Sequence, residues 1–315
     1  MEGPTVYTPR ALIVSAGFLL AGILGLGAYF LPVFQAARST GSAGSGPNLD
    51  PLHPSTGPFT VLLLGSDDDA KFPPDRLNTQ SMILVRVDPA ARQATMLSIP
   101  RDLWVPMPVQ GVGKISTAFQ LGGPPAAIAA VESNFEVHID DYAWIGLNGL
   151  VKLIDQLGGV NVFVTNPVMD DFYPSDLSTG GYPYDYYRVA VLPGAVHLDG
   201  VHALQYVRSR HGDLRGDFAR SERQQRVLLA IKAQTSRLNA ADLPALASAL
   251  NGEIKTSMGL TRVRQLLAVA SDLEGSGVQR VVLVPPYTSE GMIAGQDVVI
   301  PNWDQIRPLV HQSFP

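Results

Sequence analysis

The sequence predicts an α/β fold, with a mixed central sheet packed with helices, preceded by a single N-terminal transmembrane helix. Three observations carry this expectation. Short apolar runs alternate with helical periods through most of the 315-residue chain, as they do when strands and helices interleave. An uncharged apolar stretch runs from Ala11 to Phe34. A segment rich in Gly, Ser and Pro then separates that stretch from everything that follows.

Residues 1–10 form a short tail. The segment 11–34 is long enough, at about 1.5 Å per helical residue, to cross a hydrocarbon core of about 30 Å. A cleaved leader has an apolar centre of roughly 7–15 residues before a small-residue cleavage site. Gln35-Ala36-Ala37 imitates such a site, but the apolar run is too long, so an anchor is the preferred reading. Arg10 and Arg38 flank the run, so basic residues leave its orientation open. Residues 35–58 read as a flexible linker, because STGSAGSGPNLDPLHPSTGP (Ser39 to Pro58) buries too little apolar surface to repay its ordering entropy.

The folded body starts at Phe59. Residues 59–240 form its principal domain and 241–315 continue the same globular unit. Phe59 to Leu64 is a short apolar run ended by Gly65, as a buried strand would be. Met82 to Val87 and Ala94 to Ile99 are two further strands, joined through the turn signal Asp88-Pro89. A helix is expected over Pro125 to Asn134. An amphipathic one over Asn148 to Leu157 is closed by Gly158-Gly159, and Val160 to Val164 follows as a strand. Helices are then expected near 220–238, 243–250 and 262–273, and a strand over 278–284.

Composition narrows the partner. Lys and Arg number 23 against 28 Asp and Glu, a formal net charge of −5, which argues against nucleic-acid binding because that needs a basic surface. There is no Cys, so disulfides, thiolate metal sites and a Cys nucleophile are excluded. Yet Arg208, Arg210, Arg215, Arg220, Arg223 and Arg226 crowd into one short stretch. An acidic chain that concentrates planar, permanently charged guanidinium groups is building a local anion site, suited to a di- or polyphosphate.

If Tyr206 to Arg210 is extended, Arg208 and Arg210 share a face. Arg220, Gln224, Val227 and Ile231 share one helical stripe, which carries Arg220 and Gln224 to the rim of an apolar core near a helix N-terminus. The alternative is a salt-bridged helix face that uses Asp213, Asp217 and Glu222. At the carboxyl end of the first strand lies Asp67, placed to hold Mg²⁺ or take a proton from a hydroxyl, or else part of a solvated acidic turn. Arg101 follows Pro100 at the end of a strand, either as a fixed projection into a site or as a surface partner of Asp102.

These pieces resemble the LytR-CpsA-Psr family of bacterial cell-envelope proteins. The matching motifs are VLLLGSD (Val61 to Asp67), MILVRVDP (Met82 to Pro89), ATMLSIPRDLWV (Ala94 to Val105), KISTAFQLGG (Lys114 to Gly123), LVKLIDQLGGVNVFV (Leu150 to Val164), LDGVHALQYVRSR (Leu198 to Arg210) and DFARSERQQ (Asp217 to Gln225). The resemblance implies a phosphotransferase outside the cytoplasmic membrane. Such an enzyme moves a glycopolymer from a polyprenyl-pyrophosphate carrier to a peptidoglycan acceptor, and polyprenyl phosphate leaves. It implies that Arg101, Arg208, Arg210 and Gln224 contact pyrophosphate, with Arg220 and Arg223 as further candidates. It also implies that Asp67 binds Mg²⁺ or supplies the base, and that a prenyl tail lies in an apolar tunnel lined by residues in Val151 to Leu157 and Val227 to Ile231.

One departure stands out. Where the family commonly reads Arg-x-Asp-Thr before the second strand, this chain has Asn78-Thr79-Gln80-Ser81, so Gln80 replaces a second metal-binding acid and offers no charge. Two other readings therefore stay open beside the transferase: a membrane-tethered binder that regulates envelope assembly without catalysis, and a hydrolase of the lipid-linked pyrophosphate.

Overall fold

The computed structural model describes residues 57–66, 77–109, 111–174, 185–209, 216–235, 249–250, 253–258, 262 and 278–314, with side chains at 216, 217 and 235 left aside. The anchor at 11–34, the linker and the helix expected at 243–250, its last two residues excepted, lie outside the described residues, as does nearly all of that expected at 262–273. Among the described residues no helix is long and apolar enough to cross a membrane.

The centre is a six-stranded mixed sheet. It is built from β1 (Phe59–Ser66), β2 (Thr79–Asp88), β3 (Gln93–Ser98), β6 (Asp141–Gly146), β11 (Ile254–Thr256) and β12 (Val278–Val282), in the order β11-β6-β1-β2-β3-β12. β1 runs antiparallel to β2 and parallel to β6, and β12 lies parallel to β3. The expected turn at Asp88-Pro89 is present. One Asp88 carboxylate oxygen accepts from the amides of Ala90 and Ala91 at 3.0 and 2.9 Å, which closes the β2–β3 hairpin as an Asx turn does.

Helices cover both faces. On one side α1 (Ala118–Phe135) and α5 (Trp303–Ser313) pack on Leu62, Leu64, Met82, Leu84 and Leu97, contributing Ala127, Ala130, Val131, Ile306 and Val310. On the other side lie α2 (Leu147–Gln156), α3 (Gly200–Arg208) and α4 (Gly216–Thr235), with Leu153, Ile154, Leu204, Val207, Val227 and Ile231 in a second core. Small antiparallel pairs ring this frame: β4 (Trp104–Pro106) with β5 (Val112–Lys114), β7 (Val160–Val164) with β10 (Gly194–Leu198), β8 (Val168–Pro174) with β9 (Tyr186–Val191), and β13 (Thr288–Ile293) with β14 (Gln296–Pro301).

The expected α2 is present within one residue at each end, and its stop behaves as the glycines require. Gly158 and Gly159 take φ of 74° and 87°, and the Gly159 amide donates to the Ile154 carbonyl at 2.9 Å. The helix expected at 125–134 is the second part of α1. Its first part begins at Ala118 and is broken at Gly122 and Gly123, before Pro124 and Pro125, where two prolines suit the opening turn of a new helix.

The extended reading of Tyr206 to Arg208 is overturned, because these residues end α3. Asp199 caps that helix, its carboxylate accepting from the His202 amide at 2.8 Å, and Ala203, Leu204 and Val207 bury a face at helical spacing. Gly200 lets α3 lie against α2, since a Cβ there would stand 2.3 Å from the Val151 carbonyl oxygen.

Candidate functional site

The parallel pairing of β1 with β6 sets Gly65 beside Ile145 and Ser66 beside Gly146. Both strands therefore deliver their carboxyl ends to one place, where α2 begins. There the sheet and the three helices of the second core do not close on each other. They leave a cavity of about 860 Å³, counting its open mouth. The sheet contributes Leu63, Ile83, Ala143 and Ile145, α2 contributes Leu147 and Leu150, α3 contributes Leu204 and Val207, and α4 contributes Val227, Leu228 and Ile231.

One end of this apolar cavity is polar. Arg220 and Gln224 line it from the first half of α4, Arg208 from the last turn of α3, and Gln80 and Ser81 from β2. The stripe Arg220, Gln224, Val227, Ile231 expected from helical spacing thus faces the cavity along its whole length. Arg220 is only 4% exposed. Among the described lining residues there are two arginines and no carboxylate. At that depth a charge is weakly screened.

Gln80 and Ser81 are consecutive, and in a regular strand they would face opposite sides of the sheet. The β1–β2 register explains why both reach the cavity. Gly65 pairs with Ser81 but Ser66 pairs with Thr79, so Gln80 is the extra residue of a bulge, a device that re-aims a side chain. The amide oxygen of Gln80 accepts from Arg101 Nη1. Its backbone carbonyl accepts from Gln224 Nε2 at 3.5 Å, and Ser81 Oγ donates to Gln224 Oε1 at 3.0 Å.

Arg101 itself follows β3. Its Nε lies 3.7 Å from Asp102, whose other carboxylate oxygen lies 3.0 Å from Lys114 Nζ. Arg101 therefore has Asp102 on one side and Gln80 on the other, and it is not itself among the cavity's lining residues.

The remaining arginines separate by environment. The Arg208 guanidinium stands over the Tyr173 ring, 5.8 Å from its centroid, which holds the end of α3 against the β8–β9 pair. Arg226 donates to Thr165 Oγ1 at 2.9 Å and lies 3.8 Å from Glu222, so it is engaged away from the cavity. Arg223 is 3% exposed and is not among the cavity's lining residues. It donates to the carbonyl oxygens of Tyr206, at 2.8 Å, and Ser209, satisfying the C-terminus of α3. Arg223→Ala is expected to cost about 3 kcal/mol of folding stability, because it strands two buried carbonyls, and chemical denaturation checks it.

Of the remaining candidates, Asp67 and Arg210 lie outside the described residues. The Gln80 amide oxygen, the atom a Mg²⁺ would use, accepts from the Arg101 guanidinium. The expected tail-lining residues are met in part: Val227 to Ile231 contribute, but α2 lends Leu147 and Leu150 rather than 151–157, since Leu153 and Ile154 are fully buried below. Sequence reasoning missed Ser81, which shares its strand face with Ile83. It also missed Trp144 on β6, which lines the cavity while its Nε1 donates to Ser66 Oγ at 2.8 Å.

The model of the LytR_cpsA_psr family matches residues 35–311. The polyisoprenyl-teichoic acid–peptidoglycan teichoic acid transferase TagV of Bacillus subtilis is 30% identical over 262 residues, covering 80% of this chain and 64% of that protein. The corresponding TagU of Oceanobacillus iheyensis is 29% identical over 268 residues, with 81% and 76% covered. The chain thus spans just under two thirds of the Bacillus subtilis relative. Among solved structures, Bacillus subtilis TagV superimposes with a TM-score of 0.65 at 24% identity, covering 82% of this chain and 98% of that one. TagT bound to LI-WTA gives 0.63 at 24% identity, with 84% and 93% covered. These likenesses show the fold.

Proposed function

The chain belongs to the LytR-CpsA-Psr family, and on that basis we propose that it is a phosphotransferase that attaches a glycopolymer from a polyprenyl-pyrophosphate carrier to peptidoglycan. The observation that carries this reading is the cavity, apolar along its length and lined at one end by Arg208, Arg220 and Gln224. A prenyl tail is wholly apolar and a pyrophosphate is strongly anionic, so one molecule carrying both complements both parts of the lining. Teichoic acid transfer by the named relatives supports the same chemistry here.

In the reaction, a hydroxyl of a peptidoglycan sugar attacks the phosphorus that bears the glycan. The bond from that phosphorus to the bridging oxygen breaks, and polyprenyl phosphate leaves with the bonding electrons. The hydroxyl proton passes to a base, for which Asp67, the next residue in sequence after β1, is the candidate. Catalysis of such a displacement is mainly positioning and charge stabilisation. Arg208 and Arg220 neutralise the phosphates, Arg101 adds a third cation through its bond to Gln80, and the apolar walls fix the tail. Arg210 is a further pyrophosphate candidate. Mg²⁺, if used, belongs with Asp67 and would add charge neutralisation there. The protein works as a single-pass membrane protein, with the segment 11–34 as anchor and its globular part outside the cytoplasmic membrane.

The test is incubation of the full chain, in detergent, with a polyprenyl-pyrophosphate glycan and peptidoglycan oligomers, with and without Mg²⁺, followed by mass spectrometry. Glycan phosphate on the acceptor, together with free polyprenyl phosphate, is the expected result. Free glycan phosphate with an unmodified acceptor would mean hydrolysis, and lipid binding without turnover in either condition would mean a binder.

A further inference from the structure

We infer that Gln225 is a positioning residue, which fixes the roll of α4 so that Arg220 and Gln224 face the head-group end of the cavity; this deepens, and rests on, the pyrophosphate reading above. The reason begins with what α4 buries. Among the described side chains from 218 to 225, those buried are Ala219, Arg220, Ser221, Arg223 and Gln225, so Ala219 alone is apolar. The apolar anchors Val227, Ala230 and Ile231 come later, in the second half of the helix. Hydrophobic burial is non-directional, and here it lies away from the head-group end. Successive helical residues stand about 100° apart, so a modest roll would carry Arg220 off the cavity. Hydrogen bonds, which weaken steeply when bent, hold it instead.

Gln225 supplies the tie to the sheet. It is 2% exposed, and its Nε2 donates to Ser98 Oγ at 2.8 Å and to the Val281 carbonyl oxygen at 3.1 Å. Ser98 ends β3, and Val281 lies in β12 beside Leu97, so one carboxamide spans two adjacent strands of the central sheet. Two acceptors match the two N–H groups of the amide. Arg223 does not supply this tie, because it binds the carbonyls of Tyr206 and Ser209 and joins α4 to α3, two helices that can shift together over the sheet. Gln224 does meet Ser81, but at the cavity end itself, where the head group would bind. Gln225 is not among the cavity's lining residues, so its effect on a ligand passes through α4.

A double-mutant cycle tests this. Geranylgeranyl pyrophosphate is titrated calorimetrically into the full chain in detergent for the wild type, Gln225→Met, Arg220→Ala and the double variant, at a temperature where thermal melting shows each folded. Methionine keeps the length and helix propensity of glutamine but donates nothing. Gln225→Met is expected to weaken binding about tenfold, the scale of one charge-assisted contact, and to cost less than about twofold once Arg220 is gone. A role in stability alone would lower the melting temperature and leave the affinity of the folded protein unchanged. That result overturns the inference, as does an undiminished loss in the Arg220→Ala background. If Gln225→Met does not fold, Ser98→Ala replaces it in the cycle by removing one acceptor, with about a threefold loss expected and the same two results against it. A wild type that does not bind the ligand would instead remove the pyrophosphate reading itself, and this inference with it.

Discussion

Arg220→Ala weakens binding of geranylgeranyl pyrophosphate about a hundredfold, the largest head-group effect expected in the protein. The reason is depth. At 4% exposure the guanidinium lies where water screens it poorly, and removing one member of a buried charge pair costs about 2–5 kcal/mol in binding. Arg220→Lys keeps the charge but loses the planar fork, so it should fall between the two, at about a tenfold loss. Calorimetric titration of the full-length variants reads both. Unchanged affinity in Arg220→Ala would return that arginine to a structural role and leave Arg208 as the only cation in the described lining.

Leu228→Trp, by contrast, weakens tail binding and spares the head group. Leu228 lines the cavity but is not fully buried, so an enlarged side chain can grow into the open volume without overpacking the second core. Excluding even about 120 Å² of prenyl surface forfeits about 3 kcal/mol at about 25 cal/mol per Å², which is roughly a hundredfold in affinity. Geranylgeranyl pyrophosphate should show this loss, while inorganic pyrophosphate should bind the variant and the wild type alike. Equal losses for both ligands would mean that the tail does not occupy this cavity. The two variants together separate the apolar and anionic halves of the site.

Legibility varied with how local the cause was. The run Phe59 to Leu64, the turn at Asp88 and the Gly158-Gly159 stop are each set by residues within one turn or one strand, and each appears as expected. The α4 stripe was equally plain, because Arg220, Gln224, Val227 and Ile231 obey one helical period whatever surrounds them. Tyr206 to Arg208 misled because a few residues cannot distinguish a period of 2 from one of 3.6; the Asp199 cap and the burial of Ala203, Leu204 and Val207 decide for helix. Arg223 was indistinguishable in kind from Arg220. Three positions along the same helix turn its guanidinium from the cavity to the carbonyls of Tyr206 and Ser209.

The sequence by itself determined the mixed α/β frame, the family, and the residue types of an anion site beside an apolar stripe. Periodicity, turn chemistry and motif order are properties of neighbours along the chain, and they survive without knowledge of packing. Only the tertiary structure decided which guanidiniums line the cavity and what Gln80 touches. Ser81 meets Gln224 across a separation of 143 residues, and Gln80 reaches Arg101 because a single-residue slip between β1 and β2 re-aims it. Register and helix placement are settled by the burial of whole faces against each other, a collective quantity that no local pattern encodes.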